Sequence, residues 1–376
     1  MPLHENLSAH ESISQAHVHQ NAPRAELITL YAAGIREHSS YEHELHSMKL
    51  IDRRVVALGG GSGLPTVLRS LKDRLFPFPA SSLSTMNRER LTAIVTVTDD
   101  GGSSGRLRGD FDILPPGDIR NCLSALADKG DTLSDLFQYR FNKGNGLNGH
   151  SLGNLLLTAM THLRGNFLEA ITCCGDIMKV KGRTLPSTAE KVVLGARFRD
   201  GLAIKGETCI AGHRGKIQQV FLIPSQPAPL PQTIEAIEKA DAIIIGPGSL
   251  YTSIIPNLLV KDIAAAIKKS AAKKIYICNL MTEPGETDGY TATDHVRAIF
   301  DHTEYGLFQY VIVNKGICSP AALKNYADKE SVPVRYDIDE LRDFGLTSIA
   351  VDLVSEEGGK GRHDEDKLGK ILTELL

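Results

Sequence analysis

The 376 residues are 42% hydrophobic and 23% charged, with 34 glycines and no tryptophan, an ordinary globular composition with enough chain for one large core or two smaller ones. The net charge is −3, and no basic run is longer than Lys268-Lys269 or Lys273-Lys274, which argues against a nucleic-acid binder. No apolar stretch reaches the ~18 residues of a membrane span, no signal-like apolar segment marks the N-terminal region, and six cysteines without a C-x-x-C pair predict reduced thiols in a cytoplasmic protein.

In chain order, residues 1–49 come first and differ from the rest. They hold His4, His10, His17, His19, His38, His43 and His46, few branched aliphatics and no glycine before Gly34. Ala25 to His38 has the spacing of one amphipathic helix. The histidines are irregularly placed, so the segment reads as a polar, mobile extension rather than a metal site. Residues 50–376 have the texture of a folded α/β domain.

Arg54–Leu58 predicts a buried strand, followed by a glycine loop and a helix from Leu64 to Leu75. Leu91–Thr98 is a second strand, rich in β-branched residues and ending in Asp99-Asp100-Gly101-Gly102. Asp118 to about Val180 is a block of helical periodicity, an insertion between strands. Val192 to Ile223 gives short strand-like segments separated by glycines, a small antiparallel or edge addition. After Pro224 the pattern alternates: helix Pro231–Lys239, strand Ala242–Ile245, helix Leu258–Lys269, strand Lys274–Asn279, helix Thr293–His302, strand Tyr310–Val313 and a helix opened by Ser319-Pro320. Strands alternating with helices predict a Rossmann-like, mainly parallel sheet with helices on both faces.

Ligands of open α/β sheets bind at the carboxyl ends of the strands. Four predicted strands end in polar or glycine-rich sequence. Gly59-Gly60-Gly61-Ser62-Gly63 suits close backbone approach to a phosphate at a helix N-terminus. It is neither a dinucleotide fingerprint, since Leu64 follows where a third glycine would come, nor a Walker A loop. A tight strand–helix turn has the same composition. Asp99 and Asp100, with Gly101, Gly102, Ser103 and Arg106, place two carboxylates and a cation at the second strand end. They can hold Mg²⁺ or substrate hydroxyls, or form a solvated Asx-type turn. Asp118 and Asn121 open a helix, where Asp118 can act as a cap. His150, Ser151 and Asn154 start another, with no adjacent acid to make a Ser-His-Asp triad. Gly246, Gly248 and Ser249 repeat the glycine turn, and Asn279, Thr282 and Glu283 end a further strand. Arg362 precedes the C-terminal helix as a late cation or part of its cap region.

VVALGGGSGLPTVLRSLK, VTVTDDGGSSGRLR, PPGDIRNCLSALA, GHSLGNLLLTAM, IIIGPGSLYTSIIPNLLV and NLMTEPGETDGYTATDHV occur here in this order. Together they resemble the YvcK-like family of gluconeogenesis and cell-shape factors, a bacterial branch of the 2-phospho-L-lactate transferase superfamily. The likeness runs from about Arg54 to the C-terminus and leaves residues 1–49 outside. It implies a Rossmann-like fold, a cytoplasmic location, and binding of a UDP-sugar such as UDP-N-acetylglucosamine in support of cell-wall synthesis and cell shape during gluconeogenic growth. It also implies that Gly59–Gly63 and Gly246–Ser249 cradle phosphates, with Asp99 or Asp100 as the Mg²⁺ or hydroxyl contact. No cofactor is required by this reading. The Thr98–Arg108 segment follows the cell-shape branch, so deazaflavin chemistry is not inherited. The expected partner is therefore a phosphate-bearing nucleotide, with a homo-oligomer compatible. The alternative is an Mg²⁺-dependent transferase moving a phosphorylated group from a nucleotide donor.

Overall fold

The computed structural model describes residues 50, 52–77, 85–128, 130, 132–327, 330–356 and 361–376. The histidine-rich extension lies outside the described residues.

Seven strands form one parallel sheet: β1 (Val55–Gly59), β2 (Leu91–Val95), β3 (Arg183–Pro186), β7 (Ala242–Ile245), β8 (Lys273–Ile277), β9 (Tyr310–Asn314) and β10 (Thr347–Val351). Their order is β10-β9-β8-β7-β1-β2-β3, every pair parallel. Three antiparallel strands, β4 (Val193–Phe198), β5 (Ala203–Lys205) and β6 (Ile217–Ile223), make the strand-rich addition in the order β5-β4-β6. A two-stranded ribbon, β11 (Val354–Ser355) with β12 (Arg362–His363), precedes the last helix.

Both faces are buried at the centre of the sheet because β1 and β7 are apolar and buried at every position, not alternately. In β1, Val55 and Ala57 enter one core with the helices Gly63–Leu75, Gly117–Leu126, Phe167–Ile177 and Glu365–Leu375. Val56 and Leu58 enter the other with Pro231–Glu238, Ile263–Lys269 and Ala292–His302. The two-residue period of a strand thus divides one apolar run between two cores.

The Rossmann-like, mainly parallel architecture expected from the sequence is present, helical insertion and small antiparallel addition included. Four differences in detail have local causes. The Asp99–Arg108 stretch, read as a loop, contains the first turns of a helix Gly102–Phe111. Gly105 permits it, since a Cβ there would lie 2.0 Å from the Asp100 carbonyl oxygen. Strand β2 ends at Val95, not Thr98. The helix expected at Leu258–Lys269 is broken into a π-helical turn Leu250–Ile254 and helices Ile255–Leu258 and Ile263–Lys269, with Asp262 at φ +64° between the last two. Strands β3 and β10 were not expected, as each follows a helical or polar stretch without strong alternation.

The strand order runs outward in both directions from β1. After β1 the chain goes to β2 and β3 on one side, and later to β7, β8, β9 and β10 on the other. Helices leaving β1 and β7 therefore depart to different places, opening a crevice between the ends of these two strands.

Candidate functional site

Two glycine turns meet in that crevice. Gly59-Gly60-Gly61-Ser62 leaves β1 and Gly246-Pro247-Gly248-Ser249 leaves β7, and the turns interlock. A Cβ on Gly63 would sit 2.1 Å from the Pro247 carbonyl oxygen, so only glycine fits. Gly61 lies at φ +58°, which an L side chain rarely adopts. Its N–H donates to Asp118 Oδ2 at 2.8 Å, tying the first turn to the start of helix Gly117–Leu126. Gly248 is held from the other side: its N–H donates to Asn279 Oδ1 at 3.0 Å, and Asn279 Nδ2 returns a bond to the Gly248 carbonyl at 2.9 Å. Asn257 Nδ2 donates to the Gly59 carbonyl at 2.9 Å, completing a fixed backbone cradle.

The cradle floors a cleft of about 550 Å³, within the usual size range for small-ligand sites. Of the residues singled out from sequence, Gly60, Gly61, Ser62, Gly63, Asn121, Gly248, Ser249, Asn279, Thr282, Glu283 and Arg362 line it. Arg69, Gln138, Tyr326, Ser331 and His363 line it too and were not foreseen as site residues. Arg69 hydrogen-bonds Glu365, and Tyr326 donates to the Gly361 carbonyl at 2.7 Å, so both also brace the C-terminal ribbon and helix. No local sequence signal marks the unforeseen residues: Arg69, Gln138 and Tyr326 lie on helices, Ser331 in a loop and His363 in β12, and only the packing brings them to one cleft. Arg362 is exposed and has no ion-pair partner among the described residues. Asp364 caps the following helix, accepting from the Asp366 and Lys367 N–H groups at 3.0 and 2.9 Å.

Asp99, Asp100, Glu207 and Asp118 gather beside the first glycine turn but off the cleft wall. Asp100 Oδ1 accepts from Thr208 N at 2.9 Å and Thr208 Oγ1 at 2.7 Å, anchoring the start of helix Glu207–Gly212. Asp99 Oδ1 accepts from Gly101 N at 2.9 Å. Burial pushes the Asp118 carboxyl up to about 6, against the pull of the Gly61 N–H and with a push from Asp99. Burial, followed by the charges of Asp99, Asp118, Asp100 and Glu286, raises Glu207 to about 9. Oxygen donors of this kind suit a hard dication. Among the described residues, however, no three His, Cys, Asp or Glu side chains are grouped so as to hold a metal by themselves.

The Ser103, His150 and Asn154 residues form a separate unit. Ser103 Oγ lies 2.9 Å from His150 Nδ1 and accepts from Asn154 Nδ2 at 3.0 Å. Ser151 caps its helix by accepting from Asn154 N at 3.3 Å. Gly101 and Gly102 start the helix that carries Ser103, and Arg106, one turn on, donates to the Asn148 carbonyl at 2.8 Å instead of reaching the cleft. Gly59 ends β1 and Gly246 directly follows β7; neither lines the cleft.

A sequence profile for the 2-phospho-L-lactate transferase CofD matches residues 55–354. The chain belongs to the CofD family. Within that family its relatives include the gluconeogenesis factor of Bacillus subtilis, 47% identical over 323 residues that cover 86% of this chain and 98% of that protein. The gluconeogenesis factor of Halalkalibacterium halodurans is 46% identical, covering 86% and 96%. A solved UPF0052 family protein from Bacillus halodurans superposes with a TM-score of 0.78 at 45% identity, covering 85% of this chain and 98% of that one. This CofD family member is thus a gluconeogenesis-factor relative along nearly the whole of those proteins, with the Rossmann-like fold of the solved member. No single helix among its described residues is long and apolar enough to cross a membrane.

Proposed function

We propose that this CofD family protein binds a UDP-sugar, with UDP-N-acetylglucosamine as the reference ligand, and serves in the cytoplasm as a nucleotide-sugar-responsive factor supporting cell-wall synthesis and cell shape during gluconeogenic growth. The observation that carries the reading is the Arg362 guanidinium, without an ion-pair partner among the described residues, on the wall of a cleft floored by two interlocked glycine turns. The Gly61 and Gly248 N–H groups are already bound to Asp118 and Asn279. The remaining backbone N–H groups of the turns, Ser62 and Gly63 at the positive end of helix Gly63–Leu75 among them, offer donors to a diphosphate, and Arg362 adds a countercharge. The polar wall of Asn121, Asn279 and Thr282 offers hydrogen bonds to the sugar and base. Nothing in this reading requires turnover.

Mg²⁺ fits the same reading at Asp99 and Asp118. Mg²⁺ commonly takes one or two carboxylates and completes its shell with waters and substrate phosphates, and Asp100 is committed to helix Glu207–Gly212. When bound, the ion would neutralise phosphate charge. The carboxylate cluster also favours a second reading, transfer of a phosphorylated group from a nucleotide donor, which needs charge neutralisation more than a strong base.

Calorimetry with UDP-N-acetylglucosamine tests the first reading. Saturable binding is expected, weakened at least tenfold in Arg362→Gln. Absence of saturable binding to the intact protein would sink it. Product formation from a guanylyl donor, lost on EDTA treatment, would favour transfer instead.

A further inference from the structure

Next to the glycine cleft, two arginines hold one loop and a third packs against the helix that follows it. Arg106 Nη2 donates to the Asn148 carbonyl at 2.8 Å and Arg140 Nη1 to the Gly149 carbonyl at 2.6 Å. A Cβ on Gly149 would lie 3.1 Å from Arg106 Nη2, so both guanidiniums touch the same short segment. His150 follows, 2.9 Å from Ser103 Oγ, and Asn154 closes the unit from below. Arg120 enters from helix Gly117–Leu126, its stalk beside Gly153, where a Cβ would be 2.8 Å from Arg120 Cγ. The segment 141–150 that Arg106 and Arg140 hold is itself closed by bonds from Phe141 N to the His150 carbonyl at 2.9 Å and from Gly149 N to the Phe141 carbonyl at 2.8 Å.

None of these three guanidiniums has a carboxylate within 4.0 Å among the described residues. Arg120 is only 6% exposed and Asn154 only 2% exposed, yet Arg120 Nε and Asn154 Oδ1 have no hydrogen-bond partner. Buried polar atoms in folded proteins are almost always paired, and an unpaired one is destabilising. Like charges gathered without a counterion add to that cost: burial first and then the Arg140 charge bring the Arg120 guanidinium down to about 10, with Asp118 and Asp99 opposing. Arg120 also donates through Nη2 to Asn121 Oδ1 at 2.6 Å, which leaves Nε as its orphaned donor. That donor and the orphaned Asn154 acceptor, with Arg106 and Arg140 near the same lobe, match an oxyanion that also carries a hydroxyl. Inorganic hydrogen phosphate has that chemistry, as does a phosphate monoester in its monoanionic form below its second pKa of about 6, whereas sulfate lacks the hydroxyl.

We propose that Arg106, Arg120 and Arg140, together with His150, Ser103 and Asn154, form a second site that holds a phosphate monoester beside the glycine cleft and independently of it. The inference goes beyond the nucleotide-sugar reading, because it requires no ligand in the cleft.

The test is binding of inorganic phosphate to the full chain, followed by ³¹P line broadening and calorimetry, with and without UDP-N-acetylglucosamine. Arg106 and Arg140 are exposed, so Arg106→Gln and Arg140→Gln can be compared with Arg362→Gln at matched folding, checked by circular dichroism. Saturable phosphate binding is expected in the wild type, at least tenfold weaker in either Arg106→Gln or Arg140→Gln, unchanged in Arg362→Gln, and at least tenfold tighter than sulfate. No saturable phosphate binding overturns the proposal, as do equal binding of sulfate, indifference to both arginine variants, or loss in Arg362→Gln. Failure of UDP-sugar binding leaves these outcomes readable, since the phosphate titration is also run without nucleotide.

Discussion

Gly63 packs against Pro247 so closely that a single added methyl group would meet the Pro247 carbonyl oxygen at 2.1 Å. This contact locks the turn after β1 to the turn after β7 and makes one rigid edge from two loops some 180 residues apart in sequence. Because backbone is on the receiving side, neither partner can rotate away. Gly63→Ala is expected to destabilise the domain by about 1–3 kcal/mol, the usual cost of overpacking, and to abolish UDP-sugar binding. Urea denaturation and calorimetry on the same preparation check both; unchanged stability with intact binding would show that the turns can separate.

Asn279 tests the cradle without steric strain. It both accepts from and donates to Gly248. Asn279→Asp keeps the acceptor and loses the donor, placing an anion against the Gly248 carbonyl. Nucleotide-sugar affinity is expected to fall tenfold or more, with unfolding free energy reduced by about 1–2 kcal/mol. Equal affinity in the two proteins would remove Asn279 from the site.

Asp100 and Asp118, carboxylates in the same cluster, should separate cleanly. Asp100→Ala removes the anchor of helix Glu207–Gly212 and is expected to cost about 1 kcal/mol, with any Mg²⁺ dependence of ligand affinity retained. Asp118→Asn is expected to remove that Mg²⁺ dependence. Titration of each variant with the nucleotide-sugar at zero and saturating Mg²⁺ decides; the reverse pattern would return the metal role to Asp100.

His363 gives stability a defined acid limb. Burial holds its imidazole down at about 4, opposed by the hydrogen bond from Nε2 to the Cys278 carbonyl at 3.2 Å. The ordinary value is 6.5, so below that pH the unfolded chain takes up a proton that the folded chain refuses. Stability from this residue is complete above pH 6.5 and is lost as pH falls toward 4, by about 3 kcal/mol at most. Urea unfolding of the wild type between pH 7 and 4 should show this loss, and His363→Gln should flatten it; parallel curves would contradict the assignment.

Lys181 acts in the opposite pH range. It is 7% exposed and meets Asp73 at 2.8 Å and Asp128 at 2.9 Å. Burial disfavours its charge, but the two carboxylate bonds outweigh burial and hold it above 10.5. Its contribution is therefore full below pH 10.5 and lost only as pH rises through the higher folded value. Lys181→Met should remove that alkaline loss, read from thermal unfolding at pH 9 and 11.

The amino-acid sequence by itself determined the layered α/β plan, because continuous apolar runs such as Val55–Leu58 and Ala242–Ile245 can be buried on both sides only within a parallel sheet covered by helices. It also marked the two glycine turns, since Gly61 and Gly63 answer to local backbone geometry and close approach. It did not reveal the strand order, and with it the fact that β1 and β7 are neighbours: pairing between segments so distant depends on how the helices divide between the faces. Tertiary structure alone decided that Asp118 supports Gly61, that Asp100 serves a helix 107 positions later, that Arg69 and Tyr326 reach the cleft, and that Arg120 and Arg140 share one lobe with Arg106. Spacing along a chain carries periodicities of two and 3.6 residues. Contacts across the carboxyl edge of a sheet have no such period, so they become visible only once the strands are in order.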